Sequence, residues 1–332
     1  MKLQILIPHY KEDASVIKPL LDSIAIQQSV DFDEVGVVIA HDGSDAKDFI
    51  FDGGEDIMSL PSNYPFAIKQ VRGEHKGVSA TRNLALDNAD ATYVMFCDID
   101  DMFLNACGLY MIFREIDTGV FDSLISCFIE ESRHPITKEI VYINHDMDST
   151  FVHGKVHRRG YLLEKGIRWN DKLTIHEDSY FNILCQNLSQ NVKYCSYPFY
   201  LWKWRDESVC RHDPKYILKT YRNMLDSNDA LIEEFLKRNI LDKAAFYVVF
   251  MTFDAYYTMN KPEWINQKNR TYRNDTEKRF AKWFFKYKEL WQKVPDNEKM
   301  QVSNGIRQRS VNEGMQMETI TIDKWLKKIE KL

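Results

Sequence analysis

The stretch that most constrains this chain is an apolar run, residues 93–97, that ends in three carboxylates at Asp98, Asp100 and Asp101. A short apolar run bounded by polar residues predicts a buried strand. Carboxylates this close repel one another, and burying them unpaired is costly. They need a cation, and a hard divalent metal with a phosphate-bearing substrate is the natural candidate. A solvated acidic turn is the alternative, so the rest of the chain has to decide.

The runs before and after this stretch alternate as in an α/β fold. Strands are predicted at residues 3–7, 35–40, 66–71 and 92–97, with helices at 11–28 and 77–86. Further helices are predicted at 107–116, 160–165 and 177–190, and further strands at 122–129, 139–143, 192–195 and 199–204. This order predicts a mostly parallel sheet flanked by helices. Long helical runs follow Pro214, so we predict one domain at residues 1–213 and a helical C-terminal domain at 214–332.

The net charge of -5 is unevenly divided between these two parts. Residues 1–214 carry 21 Lys and Arg against 33 Asp and Glu, whereas residues 215–332 carry 23 against 16. An acidic and a basic part indicate modules with different partners. No apolar run is long enough for a transmembrane helix, and the six cysteines lack metal-binding spacing. We therefore expect a cytoplasmic protein with reduced thiols.

Four short motifs follow strands or open helices in the first part of the chain. They are Ile7-Pro8-His9-Tyr10, Asp42-Gly43-Ser44-Asp45, Gly77 through Asn83, and the acidic cluster itself. Each motif alone is weak, because Asp-Gly-Ser is an ordinary turn and Arg-Asn is common on a solvated helix face. Ligands bind beyond the carboxyl ends of strands in open α/β sheets, so the shared placement indicates one ligand site.

This series of motifs resembles that of the family 2 glycosyltransferases, which have the Rossmann-like GT-A fold. The family pattern runs I-P-x-Y, D-D-G-S-x-D, G-x-x-x-A-R-N and D-x-D-D. This chain departs from it at His41, where the family often has Asp, and at Thr81, where Ala is common. The resemblance covers roughly residues 1–212. It implies an inverting, metal-dependent transferase that moves a sugar from a UDP-sugar to an acceptor hydroxyl.

The resemblance also implies roles for the matched residues on the donor side. The pocket of the nucleotide base would be lined by Pro8, Tyr10 and Asp42. Arg82 would support the base or the diphosphate, and Asp98 would hold the ribose. Asp100 would bind Mn²⁺ or Mg²⁺ between the two phosphates. The metal would act as a Lewis acid on the departing nucleoside diphosphate.

The acceptor side is expected at Glu177-Asp178, which opens a predicted helix and resembles the family's E-D pair. Asp178 would deprotonate the acceptor hydroxyl, since a carboxylate within hydrogen-bond reach can act as a general base. The alternative is that the two acids only complement the helix dipole. The motifs upstream favour the catalytic role.

Two further segments resemble parts of the family. Residues 200–212 are similar to its closing Y-x-x-R-x-x-S segment, so Ser208 and Arg211 would meet the diphosphate. His212 would complete the metal shell, although a structural histidine fits this position as well. Lys155, in the segment similar to H-G-K-x-x-x-R, would pair with phosphate or acceptor, or would be a solvated lysine.

The C-terminal part contains a basic helix with aromatic residues at three- and four-residue spacing, at positions 280, 283, 284, 287 and 291. We expect this helix to pack by its aromatic face. The alternatives are peripheral contact with an anionic membrane, at its inner face, or with nucleic acid.

The expected acceptor is a glycan, a cell-wall or capsular polymer, or another polyanion such as modified DNA. A homo-oligomer is a further expectation.

Two other functions fit parts of the sequence. A non-catalytic carbohydrate- or nucleic-acid-binding protein could use the same scaffold, but decay should have removed the carboxylates first, and they are all present. A sugar-nucleotide nucleotidyltransferase would need a glycine- and lysine-rich phosphate loop near the N-terminus. This chain has Pro8-His9-Tyr10-Lys11 there. The transferase therefore remains the preferred interpretation.

Overall fold

A computed structural model describes residues 1–134, 136–146, 148–206, 215–312 and 320–332 of the chain. Contacts within the chain divide it into two compact units, Met1–Asp206 and Glu207–Leu332. The predicted domain border between residues 213 and 214 lies outside the described residues. Each unit is therefore described by itself.

The first unit is built on a mixed sheet. Its strands are β1 Leu3–His9, β2 Val35–Asp42, β3 Ile50–Phe51, β4 Ser59–Leu60, β5 Ala67–Gly73, β6 Tyr93–Phe96, β7 Met102–Phe103, β8 Ser123–Arg133, β9 Ile140–His145, β10 Lys155–Arg158 and β11 Val192–Trp202. Within the part that the structure describes, nine of these form one sheet in the order β5-β2-β1-β6-β10-β8-β11-β7, with β9 paired to β8. The other two, β3 and β4, form a small separate sheet.

Helices flank this sheet, as the α/β prediction requires. They are α1 Ala14–Ala25, α2 Val78–Asp87, α3 Gly108–Asp117, α4 Arg159–Glu164 and α5 Glu177–Leu188, with a 3₁₀ turn at Phe32–Glu34. Strands β5, β2, β1 and β6 run parallel to one another. Of these, β1, β2 and β6 are buried and read as nearly continuous apolar runs, which is why the sequence predicted them well, whereas β5 at the edge of the sheet is exposed or partly exposed throughout. Their carboxyl ends share one edge of the sheet, where the sequence motifs begin.

The second half of the sheet differs from the prediction at three places, the first being the two-residue strand β7, which was not predicted and pairs antiparallel with β11. Strand β10 lies antiparallel between β6 and β8 and was missed, because only Val156 in it is apolar while Lys155 and His157 are buried polar residues. The predicted strands at 192–195 and 199–204 form a single strand, β11, whose pairing with β8 shifts register between Cys195 and Tyr200. A periodic apolar pattern records neither a two-residue strand, nor a strand of buried polar residues, nor a shift of register within a strand.

The described part of the second unit is helical. Its helices are α6 Tyr216–Lys237, α7 Leu241–Met259, α8 Pro262–Ile265, α9 Arg270–Lys293, α10 Asp296–Asn312 and α11 Ile322–Ile329, with a 3₁₀ turn at Gln267–Asn269. Predicted packing of α9 by its aromatic face is confirmed, since the buried side chains include Phe280, Trp283, Phe284 and Tyr287. Among the described helices, none has the length and apolar character needed to cross a membrane.

Candidate active site

The carboxyl ends of β1 and β2 meet around a histidine that the sequence did not single out. The carboxylate of Asp42 accepts hydrogen bonds from the backbone N–H groups of Lys76 and Gly77, at 2.8 and 3.1 Å. Nδ1 of His75 lies 3.0 Å from the same carboxylate. The ring of Tyr10 stacks on His75, with the ring centroids 4.6 Å apart. Two of the three residues expected in the base pocket are thereby brought together.

Pro8, the third of these residues, lies within β1. Its strand partner in β2 is Ala40, two residues before Asp42. The side chain is partly exposed, unlike the rest of β1, which is buried. Pro8 therefore lies near the sheet edge at which Tyr10 and Asp42 meet.

Arg82 is the centre of the site. It lies on α2 with only 4% of its surface exposed, and its Nη2 donates to Asp98 Oδ1 at 2.7 Å. Its Nη1 donates to Glu177 Oε1 at 3.0 Å, and the guanidinium stacks over the ring of Trp169 at 4.4 Å. One buried cation therefore joins the acidic end of β6 to the first turn of α5. Neither Glu177 nor Trp169 could be assigned this contact from the sequence, because both follow Arg82 by more than 80 residues.

The three clustered carboxylates have three different environments. Burial alone would raise the pKa of Asp98, but the Arg82 guanidinium outweighs it and holds that pKa below its usual range. Burial, followed by repulsion from Asp98, raises the pKa of Asp100, although Arg205 donates to this carboxylate at 3.1 Å. Asp101 is 1% exposed, and burial raises its pKa well above the usual range.

Asp101 anchors the end of β11. Its carboxylate accepts from the hydroxyl of Tyr200 at 2.5 Å and from the backbone N–H of Lys203 at 2.9 Å. Both oxygens are therefore engaged inside the fold. The expected role of Asp100 as a metal ligand stays a prediction.

A buried histidine completes a candidate cation site beside these carboxylates. Ligand atoms of Asp98, Asp101 and His153 all lie within 4.8 Å of one another. Nδ1 of His153 is buried, has no hydrogen-bond partner among the described residues, and lies 3.6 Å from Asp101. Burial lowers the pKa of His153 to about 3, so the imidazole is neutral and its lone pair is available. Carboxylates with a neutral imidazole suit a divalent metal, so these residues fit the expected cofactor.

Asp178 lies in the first turn of α5, where the sequence placed the base. Its side chain is half-buried, and its Oδ1 accepts from the backbone N–H of Ser179 at 2.7 Å. Burial and repulsion from Glu177 raise the pKa of Asp178 to about 7, with Arg82 opposing them. A carboxyl with this pKa exchanges protons readily at neutral pH, as a general base requires.

Lys155 is buried and holds the loop at residues 151–153 in place. It is 1% exposed, which excludes the solvated lysine among our alternatives. Its ammonium donates to the backbone carbonyls of Phe151 and His153, and burial lowers its pKa to about 8. Asn182 on α5 donates to the same Phe151 carbonyl at 3.0 Å. The loop that carries His153 is thus fixed to the helix that carries Asp178.

Three of the expected site residues lie outside the described residues. They are Ser208, Arg211 and His212, and their contacts with a diphosphate or a metal stay predictions. The described site residues come from β1, β2, α2, the end of β6 and α5. All of these belong to the first unit.

Comparison with known proteins connects this fold and site to a family. Residues 4–166 match the model of glycosyl transferase family 2. Over 232 residues the chain is 25% identical to glycosyltransferase GlyA of Streptococcus pneumoniae serotype 4, an alignment that covers 63% of this chain and 32% of GlyA. The chain thus spans about a third of the length of this curated relative.

Solved structures give the same fold. S. aureus TarS 1–349 aligns with a TM-score of 0.58 at 16% identity, covering 93% of this chain and 92% of that one. The same TarS segment in complex with UDP-GlcNAc aligns with a TM-score of 0.55 at 17% identity and the same coverage. The predicted GT-A fold is confirmed by this likeness and by the mixed sheet flanked by helices.

The buried Arg82 contacts predict a pH-dependent loss of stability in Arg82→Met. Removing the guanidinium leaves Asp98 and Glu177 without their cation, which should cost about 3–5 kcal/mol in the free energy of unfolding at neutral pH. The Asp98 pKa is lowered in the folded chain, so its stabilisation is present above the unfolded pKa and is lost as pH falls. The difference between native and variant should therefore persist down to about pH 4 and shrink below it, as the pH falls through the folded pKa of Asp98. Urea unfolding at neutral pH and at about pH 3 measures it.

A matched control is Arg168→Met. Arg168 pairs with Asp87 at 2.5 Å, but both side chains are more than 40% exposed. An exposed pair is worth about 1 kcal/mol or less. Equal losses in the two variants would contradict the role of Arg82 as the cation that holds the site together.

Proposed function

We propose that this chain, which belongs to glycosyl transferase family 2, transfers a sugar from a UDP-sugar to an acceptor hydroxyl with inversion at the anomeric carbon. The observation that carries the proposal is the buried Arg82. It links Asp98, on the expected donor side, to Glu177, which precedes the expected base Asp178. A donor-binding carboxylate and a proton acceptor are thereby held in one site, as a direct displacement requires.

The donor would bind at the carboxyl ends of β1, β2 and β6. Pro8, Tyr10 and Asp42 would line the pocket for the base, and Asp98 would hold the ribose. TarS 1–349 was solved with UDP-GlcNAc, and the shared fold supports UDP as the nucleotide here. Ser208 and Arg211 would contact the diphosphate from the segment that follows β11.

The acidic cluster would hold Mn²⁺ or Mg²⁺. Asp100 and His212 would be ligands, and Asp98, Asp101 and His153 are further candidates because their ligand atoms already lie together. A metal bound there would supply Lewis-acid stabilisation of the negative charge on the leaving nucleoside diphosphate. Arg205 contacts Asp100 and would add positive charge on the same side of the site.

Asp178 would serve as the general base. As the acceptor oxygen bonds to the anomeric carbon, the bond from that carbon to the phosphate oxygen breaks, and Asp178 takes the hydroxyl proton. Attack from the face opposite the leaving group inverts the configuration in a single step. Arg82 would hold Glu177 in place and thus support the first turn of α5 on which Asp178 lies.

The acceptor would be a glycan or a polymer, such as a cell-wall, capsular or other polyanionic chain. The second unit would supply contacts to it, to nucleic acid or to the inner face of a membrane, and would support a homo-oligomer. Its positive charges are partly used internally, because Lys286 pairs with Asp229 and Lys288 with Glu330. Lys282 on the same helix is exposed and would remain for such a partner.

The donor and metal assignment predicts turnover of a UDP-sugar and its loss in Asp100→Ala. We expect the native chain with Mn²⁺ to release UDP from UDP-glucose, UDP-GlcNAc or UDP-galactose, alone or with candidate acceptors. Asp100→Ala should lower the rate on the order of a hundredfold or more, because metal stabilisation contributes several kcal/mol. Asp117→Ala, at an exposed acid elsewhere on the unit, is the control. Absence of turnover in the native chain with all three donors and acceptors would contradict the proposal.

The base assignment predicts a separation of binding from turnover in Asp178→Asn. The amide keeps the shape of the side chain but cannot accept the hydroxyl proton, so turnover should fall by about 10²–10⁴-fold. UDP binding, measured by calorimetry, should stay close to native because Asp178 is not expected to touch the donor. Near-full activity in this variant would remove Asp178 from the mechanism.

The raised pKa of Asp178 predicts the pH dependence of the rate. Only the deprotonated carboxyl accepts a proton, so kcat/KM should rise with pH through about 7 and then level off. Glu177→Gln removes the repulsion that is the second cause of the raised pKa, so the rising limb should move to lower pH. The measurement is a rate profile from about pH 5.5 to about pH 8.5. A limb that stays in place in Glu177→Gln would contradict the assignment.

A further inference from the structure

Two buried histidines, His9 and His41, connect the ends of β1 and β2 directly before the expected base-pocket residues Tyr10 and Asp42. His9 and His41 are direct partners in the register of these strands. Neither side chain is exposed to solvent. Their Nδ1 atoms face each other at 2.6 Å, which is hydrogen-bond distance. One of the two nitrogens must therefore carry a proton that the other accepts.

The remaining ring nitrogens both face acceptors. Nε2 of His9 lies 2.8 Å from the backbone carbonyl of Glu12. Nε2 of His41 lies 3.0 Å from Gln70 Oε1 and 3.3 Å from Asp48 Oδ1. Carbonyl and carboxylate oxygens cannot donate, so each Nε2 has to be the protonated nitrogen of its ring.

The orientation of the Gln70 amide is fixed independently. The backbone N–H of Phe49 donates to Gln70 Oε1 at 2.8 Å, and Gln70 Nε2 donates to the Phe49 carbonyl at 3.0 Å. Exchanging the amide oxygen and nitrogen would break both bonds. The atom that faces His41 is therefore an acceptor.

Two neutral imidazoles carry two protons, and both are used at the Nε2 atoms. The contact between the Nδ1 atoms needs a third. We infer that His9 and His41 share one proton and, as a single buried cation, position Tyr10 and Asp42 for the nucleotide base of the donor. The positioning role rests on the proposed function, whereas the proton count does not.

The charges around the pair are consistent with one positive charge. Glu12 Oε2 lies 3.9 Å from His9 Nε2, and Asp48 lies beside His41. Arg72 opposes them but is itself paired with Asp48. Burial lowers the pKa of His9, and burial followed by repulsion from His9 lowers that of His41 to about 4. Burial opposes any charge on the pair, whereas the hydrogen-bond count and the carboxylates of Glu12 and Asp48 favour one. Repulsion between the rings opposes a second charge, so the coupled pair carries one positive charge and not two.

The contact between His9 and His41 constrains the residue that directly follows each histidine. Tyr10 directly follows His9, and Asp42 directly follows His41. Both side chains meet at His75, Tyr10 by stacking and Asp42 through its carboxylate. The separation of the two strand ends therefore sets the separation of the stacking ring from the acceptor carboxylate. An Asp at position 41, which is common in the family, would also accept from His9, so His41→Asp is the conservative variant.

The proton count is tested on the native chain by NMR of ¹⁵N-labelled histidine imidazoles. We expect three ring protons on His9 and His41 at neutral pH, one of them shifted strongly downfield and coupled to an Nδ1. His41→Leu identifies the signals by their loss. Two neutral rings with only two protons at neutral pH would overturn the inference.

The positioning role is tested by calorimetry with UDP. In His41→Leu the dissociation constant should rise about tenfold or more, since a charge-assisted hydrogen bond is lost, and His41→Asp should recover most of the affinity. In the native chain the affinity should fall with rising pH together with the shared-proton signal. Native affinity in a folded His41→Leu, or no such pH dependence in the native chain, would overturn the role. Failure of the native chain to bind UDP at all would instead overturn the proposed function, while the NMR count still decides on the shared proton.

Discussion

The site depends on one buried guanidinium. Arg82 satisfies Asp98 at the end of a central strand and Glu177 at the start of α5, and it stacks on Trp169. Without it, two carboxylates would face each other in a low-dielectric interior, where unpaired charge is expensive. A residue expected from the sequence to support the nucleotide thus also joins the two sides of the site.

The acidic cluster shows how neighbouring carboxylates acquire different properties. Asp98 has a cationic partner and a lowered pKa, whereas Asp101 lies inside the fold with a raised pKa and two hydrogen bonds from the end of β11. Asp100 is intermediate and contacts Arg205. The sequence alone cannot assign these pKa differences. Each one depends on the cation, the hydrogen-bond donor or the apolar surroundings that the fold places next to the carboxylate.

The central strands β1, β2 and β6 could be predicted from the sequence because they are apolar and the motifs follow them directly. The residues missed share a different property, since they are polar side chains that become buried through distant contacts. His153 and the strand β10 are examples. Lys155 and His157 in β10 are buried although they are polar, so the sequence of β10 lacks the apolar run that predicts a strand. The contact between His9 and His41 was missed for the same reason. These two residues are partners only because β1 and β2 are adjacent in the sheet.

The long separations within the site have a consequence for how the protein becomes competent. Arg82 and Glu177 are 95 positions apart, Asp101 and Tyr200 are 99 apart, and Asp100 and Arg205 are 105 apart. A contact between distant positions costs loop-closure entropy before its interaction energy is gained. Such contacts therefore form late in folding. The early strands can pair during synthesis, and Asp98 lies only 16 positions from Arg82, its cation. Asp101 and Asp100 gain Tyr200 and Arg205 only after the last strand has joined the sheet. Completion of the sheet and completion of the acidic cluster are therefore the same event.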